Sequence, residues 1–266
     1  MSLQDVVADL TADAVEIDAL VADLDEAGWD VPTPAPGWAV RHQVGHLAFI
    51  FRIAGLAAAD PNAFTAMTKT MTAGFDAAVN GALAGYLGTP GPELLARWRA
   101  ERDAGIAALA AVPADRLVPW LVNPLPPAIL AAAGMMETFA HGQDIADALG
   151  VRRERTDRLR HIVAFAVRVR DFGYQARGLT PPDAEFRFEI TAPSGALWAF
   201  GPEDADQRVT GSAEDFLLLA TRRRHRDDVD VRAEGELADH WLDVAQAYRG
   251  PAGPGRAPGA FRAVRA

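Results

Sequence analysis

The 266-residue chain has no cysteine, and Lys69 is the single lysine among its 26 basic side chains. Without cysteine there is no disulfide framework, no thiolate metal ligand and no cysteine nucleophile, so any thiol chemistry must use a thiol supplied by a cosubstrate. An excess of positive charge is missing too. The formal net charge is −10 at pH 7, which argues against a nucleic-acid partner, because binding to phosphate backbones rests on clustered cations. Two short basic runs, Arg152-Arg153-Glu154-Arg155 and Arg222-Arg223-Arg224-His225-Arg226, are bordered or followed by acids such as Asp227-Asp228, and are expected to be solvated faces or domain-contact patches. No uncharged apolar run reaches membrane-spanning length, so no membrane partner is expected. The start, Met1-Ser2-Leu3-Gln4-Asp5, lacks the basic-then-apolar order of a secretion signal, and the expected location is the cytoplasm. Phosphate-binding glycine loops with lysine, nucleophile elbows and His-Glu-x-x-His are all absent.

What is present is an ordinary globular composition, 50% hydrophobic and 23% charged, enough for one large or two modest domains. Apolar spacing predicts helices at roughly 3–27, 39–59, 62–85, 91–111 and 126–149, with breaks at Pro61, at Gly88-Thr89-Pro90-Gly91-Pro92 and over 119–127. That is a helical bundle over 1–152. A helix at roughly 157–177 opens a second region, 153–250, where the pattern changes. There Glu185-Phe186-Arg187-Phe188-Glu189-Ile190 alternates as a half-buried strand, Pro193-Ser194-Gly195 reads as a hairpin turn, and Leu197-Trp198-Ala199-Phe200 returns as its partner. A further strand at 229–233 and helices near 212–222 and 236–248 make this half α+β. The tail, 251–266, is rich in Gly, Pro and Arg and is expected to be mobile or to lie across the surface. The six tryptophans are assigned to core packing.

The chemistry is carried by His46, Glu137 and His141. Glu137, His141 and Asp144 stand at i, i+4 and i+7, so one helical stripe presents all three, with Met136, Phe139 and Ala140 packing beside them. His46 shares a helical face with Phe49, Ile50 and Ile53, where an unpaired nitrogen would be costly. A lone core histidine or a lone Glu-x-x-x-His is usually structural. Together they offer two nitrogens and one oxygen, an incomplete shell for a zinc-type ion, which is the mark of a catalytic rather than structural site. Asp144 is placed to orient the outward nitrogen of His141. His42 and His46, at i and i+4, form a rival chelating pair. Facing helices of a bundle are a common place for such a centre.

Pro36-Gly37-Trp38 ahead of a helix reaching His46-Leu47, and Glu137-Thr138-Phe139-Ala140-His141-Gly142-Gln143-Asp144-Ile145-Ala146, resemble the metal-binding motifs of the mycothiol-dependent maleylpyruvate isomerase family within the DinB-like superfamily. Trp198-Ala199-Phe200-Gly201-Pro202, Gly211-Ser212-Ala213-Glu214-Asp215-Phe216 and Gly235-Glu236-Leu237-Ala238-Asp239-His240-Trp241-Leu242 are similar to its actinobacterial branch, which adds a C-terminal domain of sterol-carrier type. The resemblance runs over nearly the whole chain. It implies an α+β protein in which a DinB-like up-down helical bundle precedes a smaller sterol-carrier-like domain. It also implies a divalent metal, typically zinc, on His46, Glu137 and His141, and mycothiol as cosubstrate. Two positions depart from the family pattern: Ala39 stands where a capping Ser or Thr is frequent, and His42 where an acid is frequent.

With three protein ligands, the ion's remaining position takes water or a thiol. A thiolate adding to a small electrophilic metabolite gives net transfer or, after rotation and elimination, cis-trans isomerisation. Because Glu137 is then a ligand, proton handling is expected of His42, Asp144, a water or the second domain. Two other functions stay open: a metal-dependent hydrolase or Lewis-acid rearrangement enzyme of specialised metabolism, and a non-catalytic metal-containing protein whose C-terminal domain holds an apolar ligand. The expected substrate is a small molecule, with Arg222, Arg223 and Arg224 as candidates to hold an anion, and the expected state is a monomer or homodimer.

Overall fold

Ser2 accepts the backbone N–H of Asp5 and starts α1, Leu3–Val21. The single helix expected over 3–27 ends at Val21 because Asp25 caps a separate turn, α2 (Glu26–Trp29), its carboxylate accepting the Gly28 N–H at 2.8 Å. A polar side chain there offers the backbone a better partner than helix continuation. α3 (Val40–Ala59), α4 (Pro61–Lys69), α5 (Phe75–Leu87), α6 (Gly91–Ala110) and α7 (Pro127–Leu149) follow. The computed structural model describes residues 2–69, 75–121 and 123–261, so positions 70–74 of the helix expected over 62–85 lie outside the described residues. Two units divide the chain at 153/154, and no described helix is long and apolar enough to cross a membrane.

In the first unit α3 packs on α6 and α7, and α1 on α6 and α7. The α3–α6 approach is set by glycine: a Cβ on Gly55 would stand 2.9 Å from Gly105 Cα, and one on Gly105 would stand 2.5 Å from the Phe51 carbonyl oxygen. Beside this contact Phe51 meets fully buried Trp98 edge-on, centroids 5.2 Å apart. α7 begins at Pro126-Pro127, where a missing N–H costs nothing, and stops at Gly150, whose φ of +67° lets the Val151 N–H reach Ala146 O at 2.9 Å. Gly142 gives close access to α1, since a Cβ there would run into Ile17. Arg41 ties the start of α3 to its surroundings, bonding Glu26 and Asp30 and the carbonyls of Leu87 and Thr89.

The second unit opens with α8 (Leu159–Arg168) and the single turn α9 (Phe172–Gln175) rather than one helix over 157–177. The break falls at Arg170, whose carbonyl accepts the Trp241 indole N–H and whose guanidinium reaches Ala184 O. β1 (Phe186–Thr191), β2 (Leu197–Phe200), β3 (Gln207–Ser212) and β4 (Val231–Glu234) form one sheet in the order β2-β1-β3-β4, with β1 and β3 parallel and the outer pairs antiparallel. α10 (Ala213–Ala220) is capped by Ser212, and α11 (Glu236–Val244) by Gln207 Oε1, which accepts the N–H groups of Leu237 and Ala238. Phe188, Phe216 and Trp241 form its aromatic core, with centroids 5.4–5.9 Å apart.

β3 is absent from the sequence expectations, and both terminal helices are shorter than expected. α10 stops at Ala220 because Arg222 turns to φ +59°, and α11 stops at Val244 because Ala247 N–H returns to Ala220 O at 2.8 Å. The basic runs are not simply solvated. The Arg153 and Arg155 side chains are 5% and 8% exposed, on Phe139 O and Glu214 respectively, and Arg223 is buried with its guanidinium on Thr221 O. Along the described part of the tail, Asp228 accepts the Gly259 N–H and Arg224 lies over the Phe261 ring, so this stretch lies against the second unit.

Candidate metal centre

α3 and α7 supply the centre because both present a buried apolar stripe to the other and each stripe is interrupted by polar residues at one level. His46 on α3 is 7% exposed, and its Nε2 lies 3.5 Å from Glu137 Oε2. His141 Nε2, from the next turn of α7, lies 3.2 Å from the same oxygen. The three ligand atoms all fall within 4.8 Å of one another, and the imidazole centroids are 4.4 Å apart. A tetrahedral ion bound at about 2.0–2.1 Å sets its ligand atoms about 3.3 Å apart, so the spacing of this donor set fits a zinc-type ion. Burial alone would raise the Glu137 carboxyl, but when the imidazoles are protonated the hydrogen bonds and charges of His141 and then His46 hold it well below the ordinary carboxylate value. His46 Nδ1 is buried without a hydrogen-bond partner among the described residues, so the histidine's polar contact is made on its Nε2 side, where Glu137 and His141 converge.

The nitrogen of His141 that faces away from the carboxylate meets a residue the sequence reading passed over. His141 Nδ1 lies 2.5 Å from Gln43 Oε1, Gln43 Nε2 donates to Thr33 Oγ1 at 2.9 Å, and Thr33 Oγ1 donates to the Trp38 carbonyl at 2.8 Å. Gln43 thus meets that nitrogen. Asp144 is fully buried one turn further along α7. Gln43 carried a usable signal: it lies three residues before His46 on the same buried stripe, where an amide must find a partner.

His42 stands apart from the converging group. Its Nδ1 accepts the Ala39 N–H at 3.1 Å, so the imidazole caps α3 in place of the Ser or Thr that Ala39 replaces. That occupies one of its two nitrogens, and among the described residues the ligand cluster does not include it. Burial, and secondly the Arg41 charge, push its pKa below the ordinary histidine value. Trp38 also departs from the core role expected of every tryptophan. Its half-buried ring faces His42, His46 and His141 with centroids 6.2, 5.5 and 5.9 Å away, the last nearly stacked. The turn that carries it is closed by Thr33 N–H to Trp38 O at 2.7 Å and Val40 N–H to Val31 O at 3.0 Å.

Residues 10–146 match the family described as the mycothiol maleylpyruvate isomerase N-terminal domain, and residues 182–234 match one described as wyosine base formation. Two curated sequences, each named an uncharacterized protein of Mycobacterium tuberculosis, are 46% identical over 250 residues, covering 94% of this chain and 97% of theirs. Crystal structures of the mycothiol-dependent maleylpyruvate isomerase and of a mutant of it align with TM-scores of 0.57 and 0.59 at 13% and 14% identity, covering 88% of this chain and 93% of theirs. At that identity the likeness establishes a shared fold, a helical N-terminal domain followed by a small sheet domain. By the family match over more than half its length, the chain belongs to the mycothiol maleylpyruvate isomerase N-terminal domain family.

Proposed function

We propose that this protein is a divalent-metal enzyme that uses a low-molecular-weight thiol of the mycothiol type to isomerise, or to transfer the thiol to, a small electrophilic metabolite. The observation that carries the reading is the convergence of His46, Glu137 and His141, in a chain of this family that has no thiol of its own. His46 Nε2, Glu137 Oε2 and His141 Nε2 would hold the ion, most suitably zinc for two imidazoles and one carboxylate. Such an ion supplies the positive charge that favours a thiolate over a thiol at neutral pH. The remaining work falls to side chains. Glu137 stays ionised and offsets part of the positive charge. Trp38 closes one side of the centre with an apolar ring and keeps bulk water from it. His42, its Nδ1 already accepting from Ala39, carries its proton on Nε2 and serves only as a donor there. Asp144 lies fully buried on α7, one turn beyond His141.

The test uses protein prepared without chelators, its metal content measured, and maleylpyruvate as the probe substrate with and without mycothiol. Near-stoichiometric zinc and thiol-dependent conversion, both lost in His141→Ala, support the proposal. Negligible metal in the wild type, or turnover indifferent to thiol, sinks it.

A further inference from the structure

We infer that Thr33 and Gln43 form a hydrogen-bond relay that sets the tautomer of His141 and thereby presents its Nε2 lone pair to the centre; the consequence for metal binding rests on the reading of His141 as a ligand. The direction of the relay is fixed from its far end. The Trp38 carbonyl can only accept, so the Thr33 hydroxyl 2.8 Å away spends its single proton there. The group 2.9 Å from that hydroxyl must then donate to it, which turns the Gln43 amide nitrogen toward Thr33 and its oxygen toward His141. That oxygen can only accept, so His141 Nδ1, 2.5 Å away, carries the proton and the lone pair of the neutral ring lies on Nε2. Gln43 is fully buried and Thr33 nearly so, which leaves little room for water to substitute for either.

The relay has something to oppose. Glu137 Oε2, 3.2 Å from His141 Nε2, would by itself draw the proton onto Nε2 and use up the lone pair a metal needs. A glutamine free to turn over would allow that, because its NH₂ would then face Nδ1. Thr33 prevents the turn, although it touches neither His141 nor Glu137 through any bond described above. The same hydroxyl and the Thr33 N–H both hold the carbonyl of Trp38, so the aromatic wall and the proton on His141 are governed by one residue.

Thr33 and Gln43 are therefore positioning residues, and the experiment reads position directly. Histidine tautomers are measured by long-range proton–nitrogen NMR on metal-free protein at a pH where the rings are neutral, and zinc affinity is measured by competition with a chromophoric chelator. The wild type should show His141 protonated on Nδ1. Thr33→Val should shift it toward the Nε2-protonated form and weaken zinc binding about 10-fold or more. Thr33→Ser should restore both, and so should Gln43→Glu in the Thr33→Val background, since a carboxylate accepts in either orientation. Thr33→Val that keeps the wild-type tautomer and affinity, or Thr33→Ser that fails to rescue, overturns the relay while leaving the metal site standing. Wild-type protein that binds no zinc, yet shows the tautomer and its loss in Thr33→Val, upholds the relay and overturns the ligand reading.

Discussion

Replacing Gly105 by alanine should loosen the packing of α6 on α3, the helix that carries His46 of the proposed metal centre. The added Cβ would lie 2.5 Å from the Phe51 carbonyl oxygen and 3.1 Å from its carbon, about 0.9 Å short of ordinary van der Waals contact at the oxygen. The obstacle is backbone inside α3, so no flexible tip can swing away. Relief requires α6 to back off from α3 and to loosen the Phe51–Trp98 contact. Overpacking of this kind costs about 1–3 kcal/mol, and a backbone obstacle belongs at the upper end. Alanine returns about 1 kcal/mol in helix propensity. The net expectation is a loss of about 2 kcal/mol, which lowers the midpoint of the helical unit by about 4–8 °C. Gly134→Ala is the control, because a Cβ there meets Leu10 methyls at 3.6 Å, ordinary contact, and keeps the propensity gain. Thermal unfolding followed by far-UV circular dichroism separates the two. Since α3 also carries His46, zinc affinity should fall in Gly105→Ala and hold in Gly134→Ala. Equal or greater stability of Gly105→Ala would refute the reasoning, for it would mean the two helices are not held at the distance described.

Trp38→Phe should remove the part of the protein's tryptophan fluorescence that Co²⁺ or Cu²⁺ quenches, because the Trp38 ring lies within 6 Å of both imidazoles of the proposed ligand pair; unchanged quenching would place the ion elsewhere. For His42, the folded-state pKa lies below the ordinary 6.5, so on acidification the unfolded chain takes up its proton first, and this contribution to stability is full above that value and lost as pH falls below it. His42→Gln keeps an acceptor for Ala39 and should shrink the loss of unfolding free energy between about pH 7.5 and 5.5, and an undiminished loss would reject the assignment. In the second unit, Gly173→Ala drives a methyl into the Val244 carbonyl, which also accepts from Arg177, and should cost about 2–3 kcal/mol in denaturant unfolding.

Much of this molecule is legible in its sequence, and the exceptions share a cause. α3, α6 and α7 are long and carry apolar residues at helical spacing, so burial alone defines them. The three convergent donors are legible only in combination, since a buried histidine or a Glu-x-x-x-His taken singly is usually structural. Gln43 and Thr33 are uncharged, and neither periodicity nor charge marks them; only the need to satisfy a buried amide does. Trp38 was grouped with Trp29 and Trp98, which are indeed core, although it follows Pro36-Gly37 in a turn rather than lying within a helix. β3 escaped because Val209 is its one buried residue, leaving no alternation to read despite its central place in the sheet. The early ends of α1 and of the helix before Arg170 were settled by side-chain and backbone hydrogen bonds, which hydropathy does not record.

The order of strands in the second unit has a consequence for how that unit is assembled. The hairpin of β1 and β2 closes over a few residues, whereas both partners of β3 are distant in sequence, β1 by 21 residues and β4 by 20 to 26. The parallel seam between β3 and β1 is six residue pairs long, from Phe186 with Gln207 to Thr191 with Ser212. A local hairpin forms quickly and long-range pairings slowly, so the placing of β3 between β1 and β4 should limit the folding rate of this unit. A slip of one residue along that seam would send Val209 to the opposite face and leave Phe188 without its neighbour. Speed and fidelity of folding are therefore both decided at the strand whose sequence announces itself least.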